Sequence, residues 1–260
     1  MSQEHFAGEQ PAQSLPLSDV HGSSDQPASV DAAFSHQDVT TLLGLLAYAE
    51  LSAQMRLAID ASRGSHGHYR LLQADLSAAA YQRMTQITEF ITELGTDGRT
   101  QMLQFNNAFD EYEQRTKAET WHERVLKGYV GHAVAVDFCR VIVTALPAEI
   151  HARVQDSLDS TAEADAAALI LEEATASDAV LKSRLALWGR RLVGEALNQI
   201  QSLVFAYPEL ERLVQSSASV QGVEIAGSTQ SETRQLTTSW LLSQLTADHA
   251  RRMDRIGLAS

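Results

Sequence analysis

Apolar residues recur at three- and four-residue intervals along most of the chain, the spacing that puts side chains on one face of a helix. The pattern is sharpest from Thr41 to Ala61, TLLGLLAYAELSAQMRLAIDA, where Leu43, Leu46, Ala47, Ala53 and Leu57 form one stripe. Glu50 falls on that stripe. A carboxylate on the buried face of a helix is costly unless a metal, a cation or hydrogen-bond donors satisfy it, so Glu50 demands a partner elsewhere in the chain.

The same periodicity predicts a helix from about Asp38, taken as its N-cap, to Arg63, closed by the GSHG turn at Gly64 to Gly67. A second helix runs from about His68 to Leu94 and stops at Gly95, with Leu72, Leu76, Ala80, Met84, Ile87 and Ile91 inward. The stretch from Thr96 to Ala118 is less regular, and its aromatics Phe105, Phe109 and Tyr112 predict a connection that crosses and anchors on the bundle. A third helix covers about Glu119 to Ala145, with Gly128 and Gly131 allowing close approach of a neighbour. Pro147 opens a fourth helix reaching about Ala174. A fifth runs from Ser177 or Asp178 to Ala206. After a loop from Ser216 to Ser228, a sixth carries Leu236, Trp240, Leu241, Leu245, His249 and Met253 and ends at Gly257.

Breakers agree with this reading. Pro147 and Pro208 are the only prolines after residue 36, and glycine is absent from His68 to Leu94 and from His132 to Trp188. Before residue 37 the chain has Glu4, Glu9, Asp19, Asp25 and Asp31 but no Lys or Arg, and its few apolar residues are unpatterned. That composition predicts a disordered acidic tail over residues 1–36 and a helical domain over residues 37–260.

The net charge of -13 argues against a broad surface for phosphate backbones. A single cysteine, Cys139, excludes an intrachain disulfide and any cysteine-based metal cluster. No basic leader with an apolar run and no unbroken apolar segment of membrane length stands out, so a cytoplasmic protein with no membrane partner is expected.

Long amphipathic helices with one longer connection favour a bundle over an open α-array, and in the bundles that hold two metal ions one helix of each pair supplies a lone Glu and the other Glu-x-x-His. The segments LLGLLAYAELSAQMRLAIDA, KGYVGHAVAVDFCR and LALWGRRLVGEALNQIQ resemble an actinobacterial branch of the ferritin-like superfamily, similar to the tRNA 2-methylthio-N6-isopentenyladenosine hydroxylases. The resemblance spans about Asp38 to Leu258. It implies an all-α, ferritin-like four-helix bundle with additional C-terminal helices and, for intact members, a non-haem di-iron centre. On that comparison Glu50 stands at the first-helix ligand and Asp137 at the third-helix carboxylate. The second-helix Glu-x-x-His falls on AAAYQRM, which offers Ala80 and Arg83, and the fourth-helix motif falls near DSLDSTAEADA, which offers Ser160 and Glu163. Both expected histidines and at least one carboxylate are therefore replaced.

Arg83 shares the stripe of Leu76, Ala80 and Ile87, so it faces Glu50 if the first two helices pack antiparallel. An ion pair between them, with Asp137 joining, would neutralise a former metal pocket. Other candidates have ordinary readings: Arg191 pairs with Glu195 on a helix surface, Arg251, Arg252 and Arg255 complement a helix C-terminus, Cys139 is a small buried hydrophobe, and Trp121, Trp188 and Trp240 are anchors. The expectation is a non-catalytic relative of the hydroxylases that needs no cofactor and self-associates, as a dimer, through an apolar helix face. The alternative is a di-iron oxygenase acting on a modified tRNA base, with iron held by Glu50, Asp137, Glu163 and Glu195.

Overall fold

A computed structural model describes residues 34–64, 66–224 and 227–259, and the expected acidic tail lies outside them up to residue 33. Among the described residues there are ten helices and no strand, and the chain from Phe34 onward forms one unit.

Helix α1 spans His36–Arg63. Its N-cap is Ser35, whose hydroxyl accepts from the Asp38 N–H at 3.1 Å while the Asp38 carboxylate accepts from the Ser35 N–H at 2.9 Å. Asp38 is thus the third residue of the helix, closing a capping box, and not the cap itself, which places the cap three residues before the expected one.

Helix α2 spans Gly67–Glu93, and Gly95 leaves it at φ +93°, a conformation that costs glycine little. Four contacts fix its register against α1. Arg70 Nε donates to the Ala61 carbonyl at 3.1 Å, Ser77 Oγ to the Gln54 carbonyl at 3.0 Å, Arg83 Nη2 to Glu50 at 2.8 Å, and the His36 and Thr96 side chains meet at 2.8 Å. Partners descend α1 as they ascend α2, so the pair is antiparallel.

The irregular segment folds into α3, Gly98–Leu103, and α4, Asp110–Arg115. It crosses the bundle very closely: a Cβ on Gly98 would lie 1.9 Å from the Thr88 carbonyl oxygen, and one on Gly44 would lie 2.7 Å from that of Gln101. Phe105 is fully buried and Tyr112 nearly so, as anchors of a crossing connection should be.

Helix α5, Trp121–Val143, starts at a second capping box formed by Thr120 and Glu123. The predicted fourth helix is two: α6, Ala148–Asp159, and α7, Ala162–Thr175. Neither Gly nor Pro makes the break. Arg140 Nη2 donates to the Leu158 carbonyl at the end of α6, and Thr161 Oγ1 bonds Asp165 2.8 Å away in the first turn of α7. Arg140 thus satisfies a carbonyl that a continuous helix would have paired internally, while the Thr161 bond joins two side chains.

Helix α8, Ala179–Ala206, has Asp178 as N-cap, so it starts within two residues of the expected position and ends at Ala206. Helix α9, Pro208–Val220, occupies part of the predicted loop because Ser217 is buried and its hydroxyl donates to the Ile142 carbonyl at 3.1 Å. Helix α10, Gln230–Arg255, closes the fold with Leu241, Leu245, His249 and Met253 inward; Leu236, expected among them, is 44% exposed.

Helices α1, α2, α5 and α7 supply the bundle, and α8, α9 and α10 pack on its α5 side. The main apolar core runs through all of these elements, while Ala53, Leu57, Leu76, Ala80 and Ala166 make a smaller core among α1, α2 and α7. Against expectation, α1 is long and apolar enough to cross a membrane, with a mean hydropathy of 1.2 over an 18-residue window; most of that window is buried against its neighbours, while Met55 and Ile59 are exposed.

Candidate functional site

The stripe that carries Glu50 points it into the bundle, where it is fully buried. Arg83 arrives from α2 and donates Nη2 to Glu50 Oε2 at 2.8 Å, with its side chain 14% exposed. The expected ion pair is therefore formed, and the antiparallel register of α1 and α2 is what brings it about. Glu50 Oε1 and Arg83 Nε, both buried, have no hydrogen-bond partner. Ala80, the other replaced position on α2, is fully buried in the small core beside Ala53, Leu57, Leu76 and Ala166. Methyl groups fill the place where the resemblance expects a carboxylate.

Farther along α1, Arg56 and Asp60 extend the charged layer. Arg56 Nη2 bonds Glu163 Oε1 on α7, and its Nη1 stands 3.8 Å from Asp60 Oδ2. Arg124 on α5 holds the fully buried Asp60 with two donors, Nε at 2.8 Å and Nη2. His132 Nε2 lies 3.9 Å from Glu163 Oε2. Burial pushes the Glu163 carboxyl toward protonation, but the Arg56 guanidinium and then His132 outweigh it and hold the group below its ordinary value of 4.5. A carboxylate pulled below its ordinary value in a buried site is one already matched by a cation.

Gly128 and Gly131 make this layer possible. A Cβ on Gly128 would sit 2.1 Å from Arg56 Nη1, and one on Gly131 would sit 2.5 Å from the Tyr112 hydroxyl. The predicted close approach is thus of two polar side chains, not of a helix backbone.

Four expectations are corrected or refined. Asp137 is buried but does not join Glu50 and Arg83; Arg140 from its own helix and Arg252 from α10 bond its two oxygens. Arg252 and Arg255 do lie in the last turn of α10, but Arg252 also reaches the interior, Arg255 pairs with Asp165, and Arg251 pairs with Asp248. Ser160 is exposed at the C-cap of α6, turned away from the bundle by the break after it. Glu195 faces Arg115 at 3.4 Å and not Arg191, whose Nη2 donates to the Arg115 carbonyl at 2.6 Å.

The anchors behave as expected. Trp121, Trp188 and Trp240 pack partly buried against the core, and Trp188 Nε1 donates to the Glu123 carbonyl at 3.2 Å. Cys139 is buried, and burial pushes its thiol up to about 12, which leaves no thiolate for nucleophilic or ligand chemistry near neutral pH.

Sequence reasoning passed over Arg56, Asp60 and Arg124. Asp60 had the same signal as Glu50, since it follows Leu57 by three residues on the same stripe.

A di-iron centre needs carboxylates that bridge two ions and imidazoles that complete their shells. Here Glu50, Glu163 and Asp137 are each bonded to guanidinium. Among the described residues no group of three His, Cys, Asp or Glu side chains has the arrangement to hold a metal ion. The donor set does not fit a di-iron centre.

One family model matches this chain: that described as the ferritin-like domain of actinomycetes, over residues 34–217. No curated protein matches it. The matched span runs from the residue before the Ser35 cap into α9, so it contains α1 through α8 and every residue of the charged layer except Arg252.

Proposed function

The chain belongs to the ferritin-like domain family of actinomycetes, and from that premise we propose that it is a non-catalytic member in which arginines have taken over the work of metal ions. In a metal-holding bundle, cations neutralise inward carboxylates. In this chain Arg83 neutralises Glu50, and Arg56 neutralises Glu163. The observation that carries the reading is the 2.8 Å contact of Arg83 with the fully buried Glu50. Guanidinium is permanently charged and offers planar donors that match a carboxylate, so it satisfies the acid without binding dioxygen or changing oxidation state.

The protein then acts as a structural or interaction component, in the cytoplasm and as a self-associated dimer. Val180, Leu187 and Phe205 on α8 are 80%, 62% and 75% exposed and supply apolar surface for such contact. Light scattering of the purified chain tests this part: a monomer at about 10 μM and above would remove self-association from the proposal.

Iron analysis of protein purified from iron-supplemented cells tests the main claim, with an expected content well under one iron per chain. Two irons per chain with a near-ultraviolet oxo-bridge absorption would overturn it and favour the relationship to the tRNA-base hydroxylases, with Glu50, Asp137, Glu163 and Glu195 as ligands.

A further inference from the structure

Helix α2 is apolar on two sides. Its inner face, with Leu76, Ala80, Met84, Ile87 and Ile91, is buried against the bundle. On the opposite side Leu71, Ala74, Ala78 and Tyr81 are all exposed, Leu71 by 65% and Tyr81 by 50%. A lone exposed leucine needs no explanation. These four, however, follow one another at spacings of three, four and three residues, the a and d positions of a heptad seam, and half-buried Thr85 stands at the next a position. A helix with an apolar stripe on each side still has one stripe to bury after it has joined its own bundle.

The residues beside this seam carry charge in a usable order. With Leu71 at position a, Arg70 takes position g and Asp75 position e. Both are exposed, and neither is in an ion pair among the described residues; Arg70 gives its Nε to the Ala61 carbonyl of its own chain. In a parallel pair of helices a g residue meets the e residue five positions later on its neighbour. Arg70 then faces the partner's Asp75 on one side of the seam, and Asp75 faces the partner's Arg70 on the other. The antiparallel arrangement that stacks Leu71 on the partner's Tyr81 and Ala74 on the partner's Ala78 instead sets Asp75 beside the partner's Asp75, two like charges.

We propose that a second copy of this chain covers the seam, α2 against α2, parallel and in register, with an Arg70 and Asp75 pair on each side. Leu71 and Tyr81 meet their own copies toward the two ends, and the alanines between them let the helices approach closely. The charged pairs lie at the rim, so they fix orientation more than strength. This rests on the self-association proposed above and says which face carries it. The exposed apolar residues of α8, Val180, Leu187 and Phe205, are seven and eighteen positions apart and draw no such seam.

A short seam makes a reversible dimer, so sedimentation equilibrium of the full chain at about 50 μM tests the proposal. The parent is expected to be dimeric. Ala78→Glu sets a charge in the middle of the seam and should weaken the dimer at least about tenfold. Leu71→Lys does the same from one end and reports even if Ala78→Glu does not fold. Arg70→Glu alone weakens the dimer, and Arg70→Glu with Asp75→Arg restores it, because the reversed pair meets across a parallel seam and not across an antiparallel one. Tyr81→Cys cross-links to its own copy on mild oxidation, and Cys139, being buried, does not compete. In the antiparallel arrangement residue 81 lies about 15 Å along the helix from its copy, out of disulfide reach. A monomeric parent overturns both this proposal and the self-association it rests on. A dimer that Ala78→Glu and Leu71→Lys leave intact overturns the α2 seam alone and leaves the contact to α8. A dimer lost in Ala78→Glu, but neither restored by the charge swap nor cross-linked through Tyr81→Cys, overturns the parallel register.

Discussion

Arg83 reaches across the antiparallel pair of α1 and α2 and sets Nη2 2.8 Å from Oε2 of Glu50, a carboxylate with no exposure to water. Taking two charges out of water is expensive, and their attraction repays it only while both are present. The pair thus makes each residue depend on the other.

Removing one partner should therefore be far worse than removing both. Arg83→Ala is expected to cost about 3–5 kcal/mol in denaturant unfolding, because it strands Glu50 in the bundle. For a domain of this size that corresponds to a fall in Tm of at least about 6 °C. The double variant Glu50→Leu with Arg83→Met should regain most of the loss. An Arg83→Ala variant as stable as the parent would show that Arg83 leaves the interior and lets water reach Glu50.

Glu163 ties the second layer to acid sensitivity. Its folded carboxyl titrates below its ordinary 4.5 because burial, which opposes ionisation, is outweighed by Arg56 and His132. A depressed carboxyl contributes stability that is complete above about pH 4.5 and disappears as pH falls through the lower folded value. Glu163→Gln is expected to be clearly less stable than the parent at pH 7. The two should converge only once pH has fallen through the parent's lowered folded value, where its carboxyl is protonated as well; thermal melts from pH 7 downward read this out.

His249 sets a different window. Burial, and then Arg252, pushes its imidazole down to about 4. The fold therefore favours the neutral ring, while the unfolded chain takes up a proton as pH falls below about 6.5. Stability is complete above that value and is lost between about 6.5 and 4, with a slope of up to about 1.4 kcal/mol per pH unit for one proton. His249→Gln should flatten the stability profile between pH 6.5 and 5. His122 is also shifted down, by burial and by Arg184, so the double variant with His122→Gln should be flatter still.

The crossing segment predicts a contrast between glycines. Gly98→Ala would drive a Cβ to 1.9 Å from the Thr88 carbonyl oxygen, a backbone atom of α2 that cannot swing aside. Gly67→Ala meets nothing within 4 Å at the start of the same helix. Chemical denaturation should show the first variant destabilised by more than about 2 kcal/mol and the second neutral or slightly stabilised, as expected when alanine replaces glycine in a helix without strain.

The long elements were legible because long amphipathic helices announce themselves by period, and the Glu50 and Arg83 pair because both residues interrupt an apolar stripe. What the chain hid was mostly set by tertiary contacts. The break between α6 and α7 contains neither Gly nor Pro and depends on Arg140, which lies on another helix, reaching the Leu158 carbonyl. Helix α9 continues past Ser216 because Ser217 finds an acceptor in Ile142, a partner 75 residues away that composition cannot reveal. Asp137 looked like a companion of Glu50, yet Arg252, 115 residues later, takes one of its oxygens. Asp60 is different: it lay on the stripe already drawn, and following that stripe one turn farther would have found it.

The separations of these pairs also give them an order during synthesis. Arg83 follows Glu50 by 33 residues, Arg124 follows Asp60 by 64, and Glu163 follows Arg56 by 107. At translation rates of roughly 5–20 residues per second, Arg56 waits on the order of 5–20 s after its own synthesis before Glu163 exists. The first hairpin can settle its own charge while the ribosome is still at work, but the second layer cannot be neutral until α7 emerges. The nascent chain is thus most exposed to misassembly in the interval between Arg124 and Glu163.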